Sequence, residues 1–377
     1  MTTSVLSIGT AVPSTRLTQG QVRDLFAAQP GLDRRTQRLI HAAFDAAAIE
    51  HRHTVLAGLS GEAPDDDTAM AVVDAAGTLL RPSTGARNTE FIRHAPDLFA
   101  GAARSALASA AVDPAQVTHV VTVSCTGLVA PGPDYRLVRD LGLPTTVERY
   151  HLGFVGCAAG IPALRTAARI CAAQPDAVVL VVCAELCTLH FRSSADPQQI
   201  VASSVFADGA AAAVVTAVTS LRGAHWLELE RFGTALTDEG ETDMVWTVGD
   251  AGFEMVLSAE VPRIVGREIR GAVDRFLGDE TVDAWAVHPG GRSVLDRVET
   301  GLALAPDALT LSREVLRDYG NMSSATILFI LRRLLEGAAG GDGDAGAAPD
   351  QRIAALAFGP GLTVESALLT RRTAERA

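Results

Sequence analysis

Short runs rich in β-branched residues recur at 117–124, 177–182, 210–218, 283–287 and 353–357, and amphipathic, alanine-rich stretches separate them. Side chains branched at Cβ suit a pleated sheet, whereas apolar residues returning every three or four positions suit one face of a helix. The alternation predicts an α/β layered fold. Residues 91–112 carry the helical period, as do residues 162–173, opened by Pro162 at the first turn, where a missing N–H costs nothing. Residues 1–11 lack a basic flank followed by a long apolar region and read as a first strand, not a signal peptide. Neither period runs through the acidic stretch 60–67 or the Gly-, Ala- and Asp-rich stretch 336–350, so both read as surface loops. A change of character at 219–226 sets the division between an N-terminal half, 1–222, and a C-terminal half, 223–377.

Composition narrows the function classes. A chain of 377 residues, 48% hydrophobic and 20% charged, can bury a sizeable interior and is not disordered. Its net charge of -12 excludes a general nucleic-acid or anionic-membrane surface, since both need clustered Lys and Arg. No apolar run is long enough for a membrane span. Five cysteines, an odd number set mostly in apolar runs, favour reduced thiols in a cytoplasmic protein. Cys183 and Cys187 have no second ligand pair nearby, so no metal site is expected.

Cys157, in Phe154-Val155-Gly156-Cys157-Ala158-Ala159-Gly160, stands between a strand-like approach and the helix near Pro162. A thiol there meets the positive end of a helix, which lowers its pKa, and the flanking glycines admit a bulky thioester. The other reading is a small buried hydrophobe, like Cys171 or Cys183. His288 closes an apolar strand and enters a Pro-Gly-Gly turn, and Asn321 lies at another loop-to-helix junction. Each alone fits an ordinary turn or cap. Together with Cys157 they form a plausible constellation, because a thiol needs a base and an oxyanion needs donors.

Several motifs occur in one order: Pro131-Gly132-Pro133-Asp134-Tyr135, Gly156-Cys157, Val205-Phe206-Ala207-Asp208-Gly209, His288-Pro289-Gly290-Gly291, Gly320-Asn321-Met322-Ser323-Ser324 and Phe358-Gly359-Pro360-Gly361. In these the chain resembles the type III polyketide synthases, the chalcone-synthase-like branch of the thiolase superfamily, from residue 117 to 369. The resemblance implies a thiolase fold, a five-layer αβαβα arrangement of two similar halves, in a homodimer. It places Cys157 on the nucleophile, His288 on the catalytic histidine and Asn321 on the catalytic asparagine. It also places Phe206 and Phe253 on the gate of the pantetheine tunnel, and Ser323, Gly359 and Pro360 on the pocket wall. The implied activity uses CoA thioesters and no cofactor: a starter acyl-CoA loads Cys157 and malonyl-CoA extends it with loss of carbon dioxide.

Departures from the plant chalcone synthases bear on the product. Cys125, Cys187 and His190 stand on threonine positions, Met244 on a glycine, and Ala130 on a methionine that reaches across the dimer. Ser124-Cys125-Thr126-Gly127 is similar to a variant of bacterial members, which make pyrones, resorcinols or naphthalene polyols. In the segment expected to bind CoA only Arg52 is firmly cationic, so either other basic residues hold the 3′-phosphate or a carrier protein delivers the acyl group. Three competing readings remain: a ketoacyl synthase performing one condensation, an acyltransferase without malonyl extension, and a noncatalytic acyl- or lipid-binding protein.

Overall fold

A computed structural model describes residues 2–61, 70–337 and 350–374. Most of the two loops read at 60–67 and 336–350 lies outside the described residues. Nine strands form one mixed sheet, in the order Ala284–Val287, Gln351–Gly359, Thr363–Thr373, His225–Leu236, Ser4–Ala11, Asp208–Thr216, Val178–Leu186, His119–Ser124 and Glu148–Gly153. A short joint, Ser4 opposite Glu228 and Val5 opposite Leu227, connects the two groups of strands.

The strand senses repeat across that joint. His119–Ser124 runs parallel to Val178–Leu186, which pairs antiparallel with Asp208–Thr216, and that with Ser4–Ala11. Ala284–Val287 likewise runs parallel to Gln351–Gly359, which pairs antiparallel with Thr363–Thr373, and that with His225–Leu236. A parallel pair needs a crossover, and each half makes it with a helix: Gly160–Ala173 in one and Thr326–Leu335 in the other. These two helices fill the middle of the molecule between sheet segments, and Ile161, Leu164, Ile327, Leu328 and Ile330 are wholly buried there. Helix Thr84–Ala110 covers the outer face of one half, and Val261–Leu277 and Arg292–Leu302 pack together outside the other. Central strands are therefore covered on both faces, so Val178–Leu186 and Asp208–Thr216 are buried at every residue and read as continuous apolar runs.

Each of the five apolar runs is a strand, and Pro162 lies in the first turn of its helix. The long helix starts earlier than its period suggests, at Thr84, because Ser83 caps it by accepting from Ala86 N at 3.2 Å. Strand Glu148–Gly153 carries no apolar signature, because it is the exposed edge of the sheet.

The two crossover helices meet at their first turns. A Cβ on Gly160 would stand 2.7 Å from the Ser324 carbonyl oxygen and 2.7 Å from Ile327 Cγ2. Alanine is the better helix former by about 0.8–1.0 kcal/mol, so propensity alone would make Gly160→Ala stabilising. Overpacking costs about 1–3 kcal/mol and opposes that gain. Gly160→Ala is expected to lower the urea midpoint of unfolding; an unchanged or raised midpoint would contradict the close approach.

Candidate active site

The turn bearing Cys157 is held in an uncommon backbone shape. Phe154 and Gly156 both have left-handed backbones, φ 57° and 75°, and a Cβ on Gly156 would lie 2.4 Å from Pro360 Cδ. Cys157 follows in a 3₁₀ turn, Gly156–Ala159, that runs into helix Gly160–Ala173. Asn321 and Ser323 precede the other crossover helix in the same way, with Ser323 also left-handed at φ 48°. Strain of this kind persists only where surrounding packing imposes it, and here it occurs on both sides of one cavity.

The Asn321 amide has a defined orientation. Ser323 N donates to its Oδ1 at 2.8 Å, which leaves Nδ2 to face the Gly290 carbonyl at 3.4 Å and Cys157 Sγ at 4.0 Å. Asn321 is itself fixed between halves, since its N donates to Val205 O and its carbonyl accepts from Ala207 N, each at 2.9 Å. His288 sits at the end of strand Ala284–Val287, its backbone N donating to Leu356 O at 2.8 Å. Its ring is fully buried, and neither Nδ1 nor Nε2 has a hydrogen-bond partner among the described residues. Buried polar atoms are nearly always satisfied, so an imidazole with two free nitrogens marks a place where a ligand belongs.

Electrostatics here differ from the expectation drawn from helix position. Burial pushes the Cys157 thiol up to about 11, and the hydrogen bonds offered by Ser323 and Asn321 offset only part of that rise. Burial likewise pushes His288 down to about 3. Desolvation outweighs the helix end, and both the thiol and the imidazole are uncharged at neutral pH.

Cys125, Cys187, Phe206, Met244, Ser323 and Pro360 line one inner cavity with Cys157, together with Thr126, Trp246 and Met255. Its volume is about 30 Å³. Gly359 packs its backbone against the turn that bears Cys157. His190 and Phe253 stand behind Trp246, their rings stacked 4.3 Å apart, and Phe253 is not among the cavity-lining residues. Ala130 is exposed, away from this cavity. Cys183 faces the middle layer while Cys187 faces the outer core, so the two thiols do not converge.

Arg52 does not serve as a phosphate ligand. Its guanidinium is fully buried and donates to the carbonyls of Ser203, Ser204 and Phe206 at 2.8, 2.6 and 2.8 Å, and to Gln19 Oε1. Cations line a second, outer cavity of about 510 Å³ instead, where Arg263, Arg292 and Arg297 stand with Ala43, Val205, Gly290 and Gly291. Val205 lines this outer cavity and its neighbour Phe206 lines the inner one, and Val205 O accepts from Asn321 N at 2.9 Å.

Sequence reasoning also missed Glu185. Its carboxylate is fully buried and accepts from Cys125 N at 2.8 Å, Thr126 Oγ1 at 3.1 Å and Ser324 Oγ at 2.6 Å, joining segments of both halves. An acid following an apolar run and two residues before Cys187 was the available signal. Burial pushes Glu185 up from 4.5 to about 7.

A mixed α/β sheet that brings an oriented amide to a buried cysteine, with a buried histidine two residues from the Gly290 carbonyl facing that amide, fits the framework of thiol-dependent acyl-transfer enzymes. The sequence patterns "Chalcone and stilbene synthases, N-terminal domain" and "C-terminal domain" match residues 2–219 and 233–373, and the chain belongs to that family, the type III polyketide synthases. It is 30% identical over 375 residues to "Probable polyketide synthase 1" of Dictyostelium discoideum, covering 97% of this chain and 11% of that much longer protein. Among solved structures it is similar to the C-terminal type III polyketide synthase domain of Steely1 from Dictyostelium, with TM-score 0.86, 29% identity and coverage of 98% and 99% of the two chains. It is also similar to PKS-I of the brown alga Ectocarpus siliculosus, with TM-score 0.90, 28% identity and coverage of 99% and 98%.

Two outcomes check the electrostatics. Because only thiolate is alkylated, iodoacetamide labelling of Cys157 in the unliganded protein is expected to keep climbing with pH, with no plateau below about pH 9; a plateau near neutrality would contradict the raised pKa. Glu185 is raised above its unfolded value, so its contribution to stability is complete below pH 4.5 and lost as pH rises through about 7. Wild type should therefore lose on the order of 2–3 kcal/mol across that window relative to Glu185→Gln, read from urea midpoints.

Proposed function

We propose that this chain is a cytoplasmic type III polyketide synthase acting on CoA thioesters as a homodimer. Residues 1–222 supply the nucleophile and residues 223–377 supply the histidine and asparagine. One observation carries the reading: Asn321 Nδ2 and Cys157 Sγ face each other at 4.0 Å, and His288, two residues from the Gly290 carbonyl that faces the same amide, is buried with no hydrogen-bond partner for either ring nitrogen among the described residues.

Chemistry follows from those groups. His288 accepts the Cys157 proton as the sulfur attacks the starter thioester carbonyl, and returns it to the departing CoA thiolate. Neither charge is stable alone in this buried site, so proton transfer accompanies bond formation. Malonyl-CoA then loses carbon dioxide, leaving an enolate whose oxygen accepts from Asn321 Nδ2 and the His288 N–H. The enolate carbon attacks the cysteine-bound acyl group, lengthens it by two carbons and releases the sulfur. A few such extensions of a short starter, followed by ring closure, give small cyclised products such as pyrones or resorcinols. No step requires a cofactor.

The outer cavity suits CoA itself as acyl donor. Arg263 is paired with exposed Glu260 at 2.5 Å and Arg292 with Asp296 at 3.5 Å, while Arg297 has no ion-pair partner among the described residues. Exposed pairs of this kind are worth about 0–1 kcal/mol, so a phosphate displaces them at little cost.

Two results test this. Cys157→Ala should carry no acyl label, and Asn321→Ala should keep acyl loading but release carbon dioxide from malonyl-CoA about 10²–10³-fold more slowly. Replacing Arg263, Arg292 or Arg297 by Ala should each raise KM for acyl-CoA about tenfold and leave KM for the matching N-acetylcysteamine thioester unchanged. Label retained by Cys157→Ala, or a KM that changes equally for both donors, would refute the respective assignment.

A further inference from the structure

Three large side chains, Met244, Trp246 and Met255, line the inner cavity with Cys157, and they differ in freedom to move. Met244 and Trp246 lie two residues apart on strand Met244–Gly249 and so share a face, and Met255 stands directly opposite Trp246 on strand Gly252–Leu257. A methionine has three rotatable bonds and repacks readily. Trp246 has no such latitude. Its indole N–H donates to the Cys125 carbonyl at 2.8 Å, and its ring lies edge-on against His190 at 5.4 Å and Phe253 at 5.8 Å. His190 is fixed in turn, with Nε2 against Thr126 O and Nδ1 accepting from Phe253 N, each at 2.9 Å. Moving the indole breaks a part-buried hydrogen bond and uncovers this stacked pair.

We propose that Trp246 is the fixed stop of the acyl cavity. Resting on the synthase reading above, this assigns the substrate class: the enzyme takes short aliphatic acyl thioesters, and a chain growing on Cys157 displaces Met244 and Met255 but ends against the indole. The present volume of about 30 Å³ has room for about one or two water molecules. Methionine movement supplies the space for a few extensions; a long fatty acyl or bulky aryl starter meets the ring.

The deciding experiment does not need turnover. Wild type, Trp246→Gly, Trp246→Phe and Met244→Ala are each treated with N-methyl-, N-butyl- and N-octyl-iodoacetamide, and labelling of Cys157 is followed by peptide mass so that Cys125 and Cys187 are scored apart. In wild type the octyl reagent should label at least tenfold more slowly than the methyl reagent. Trp246→Gly should remove most of that difference, Trp246→Phe should keep it, and Met244→Ala should help butyl more than octyl. Octyl labelling of wild type as fast as methyl overturns the proposal even if Trp246→Gly does not fold. So does an unchanged octyl-to-methyl ratio in a Trp246→Gly protein of wild-type melting temperature. A parallel assay with acetyl- to dodecanoyl-CoA and malonyl-CoA should show longer starters accepted in Trp246→Gly only. Absence of carbon dioxide release from wild type would refute the synthase reading, while the alkylation series would still decide the role of Trp246.

Discussion

The site depends on how closely two helices approach end to end. Gly160 opens one and Thr326 opens the other, and at Gly160 there is no room for a single methyl group. The turn before each helix therefore delivers its residue to the same point, Cys157 from one side and Asn321 with Ser323 from the other. Glu185 secures the meeting by accepting from Ser324 across the seam and from Cys125 and Thr126 on its own side. A buried acid is costly, yet each of these donors lowers the penalty, and the resulting link cannot loosen without leaving a carboxylate unpaired.

A second constraint comes from two buried arginines that hold backbone instead of ligand. Arg52 collects the carbonyls at the end of helix Pro197–Val205, where cationic hydrogen bonds satisfy groups that the helix leaves open, and so fixes Phe206. Arg87 does the same for the carbonyls of Leu189 and Phe191, on either side of His190. Both guanidiniums lose basicity through burial, to about 9 and about 10, and remain charged at neutral pH. The cavity walls are thus stiff where these clamps act, and their stiffness comes from charge spent on main chain.

Much of this was legible in the residue pattern. Strand runs such as 177–182 and 353–357 carry their own period, and Cys157, His288 and Asn321 are marked by glycine and proline turns at element ends. What escaped was set by contacts between distant segments. Arg52 reads as a free cation in its short polar strand until the carbonyls of residues 203–206 fold over it. Trp246 sits in an alternating, half-exposed strand with nothing nearby to show that its indole would reach Cys125. The thiol's pKa was misjudged in sign because helix position is local and readable, whereas depth of burial depends on the whole fold.

The repeated strand senses described for the two halves make an internal pseudo-twofold, and it pairs positions that no alignment of neighbouring residues would compare. Cys125 directly follows strand His119–Ser124, and His288 directly follows its counterpart Ala284–Val287. One scaffold, used twice, has put a sulfur at one of these matched corners and an imidazole at the other. The seam is asymmetric because equivalent corners were filled differently, and since Cys157 and His288 come from opposite copies, a single copy of the scaffold would contain half of the proposed site.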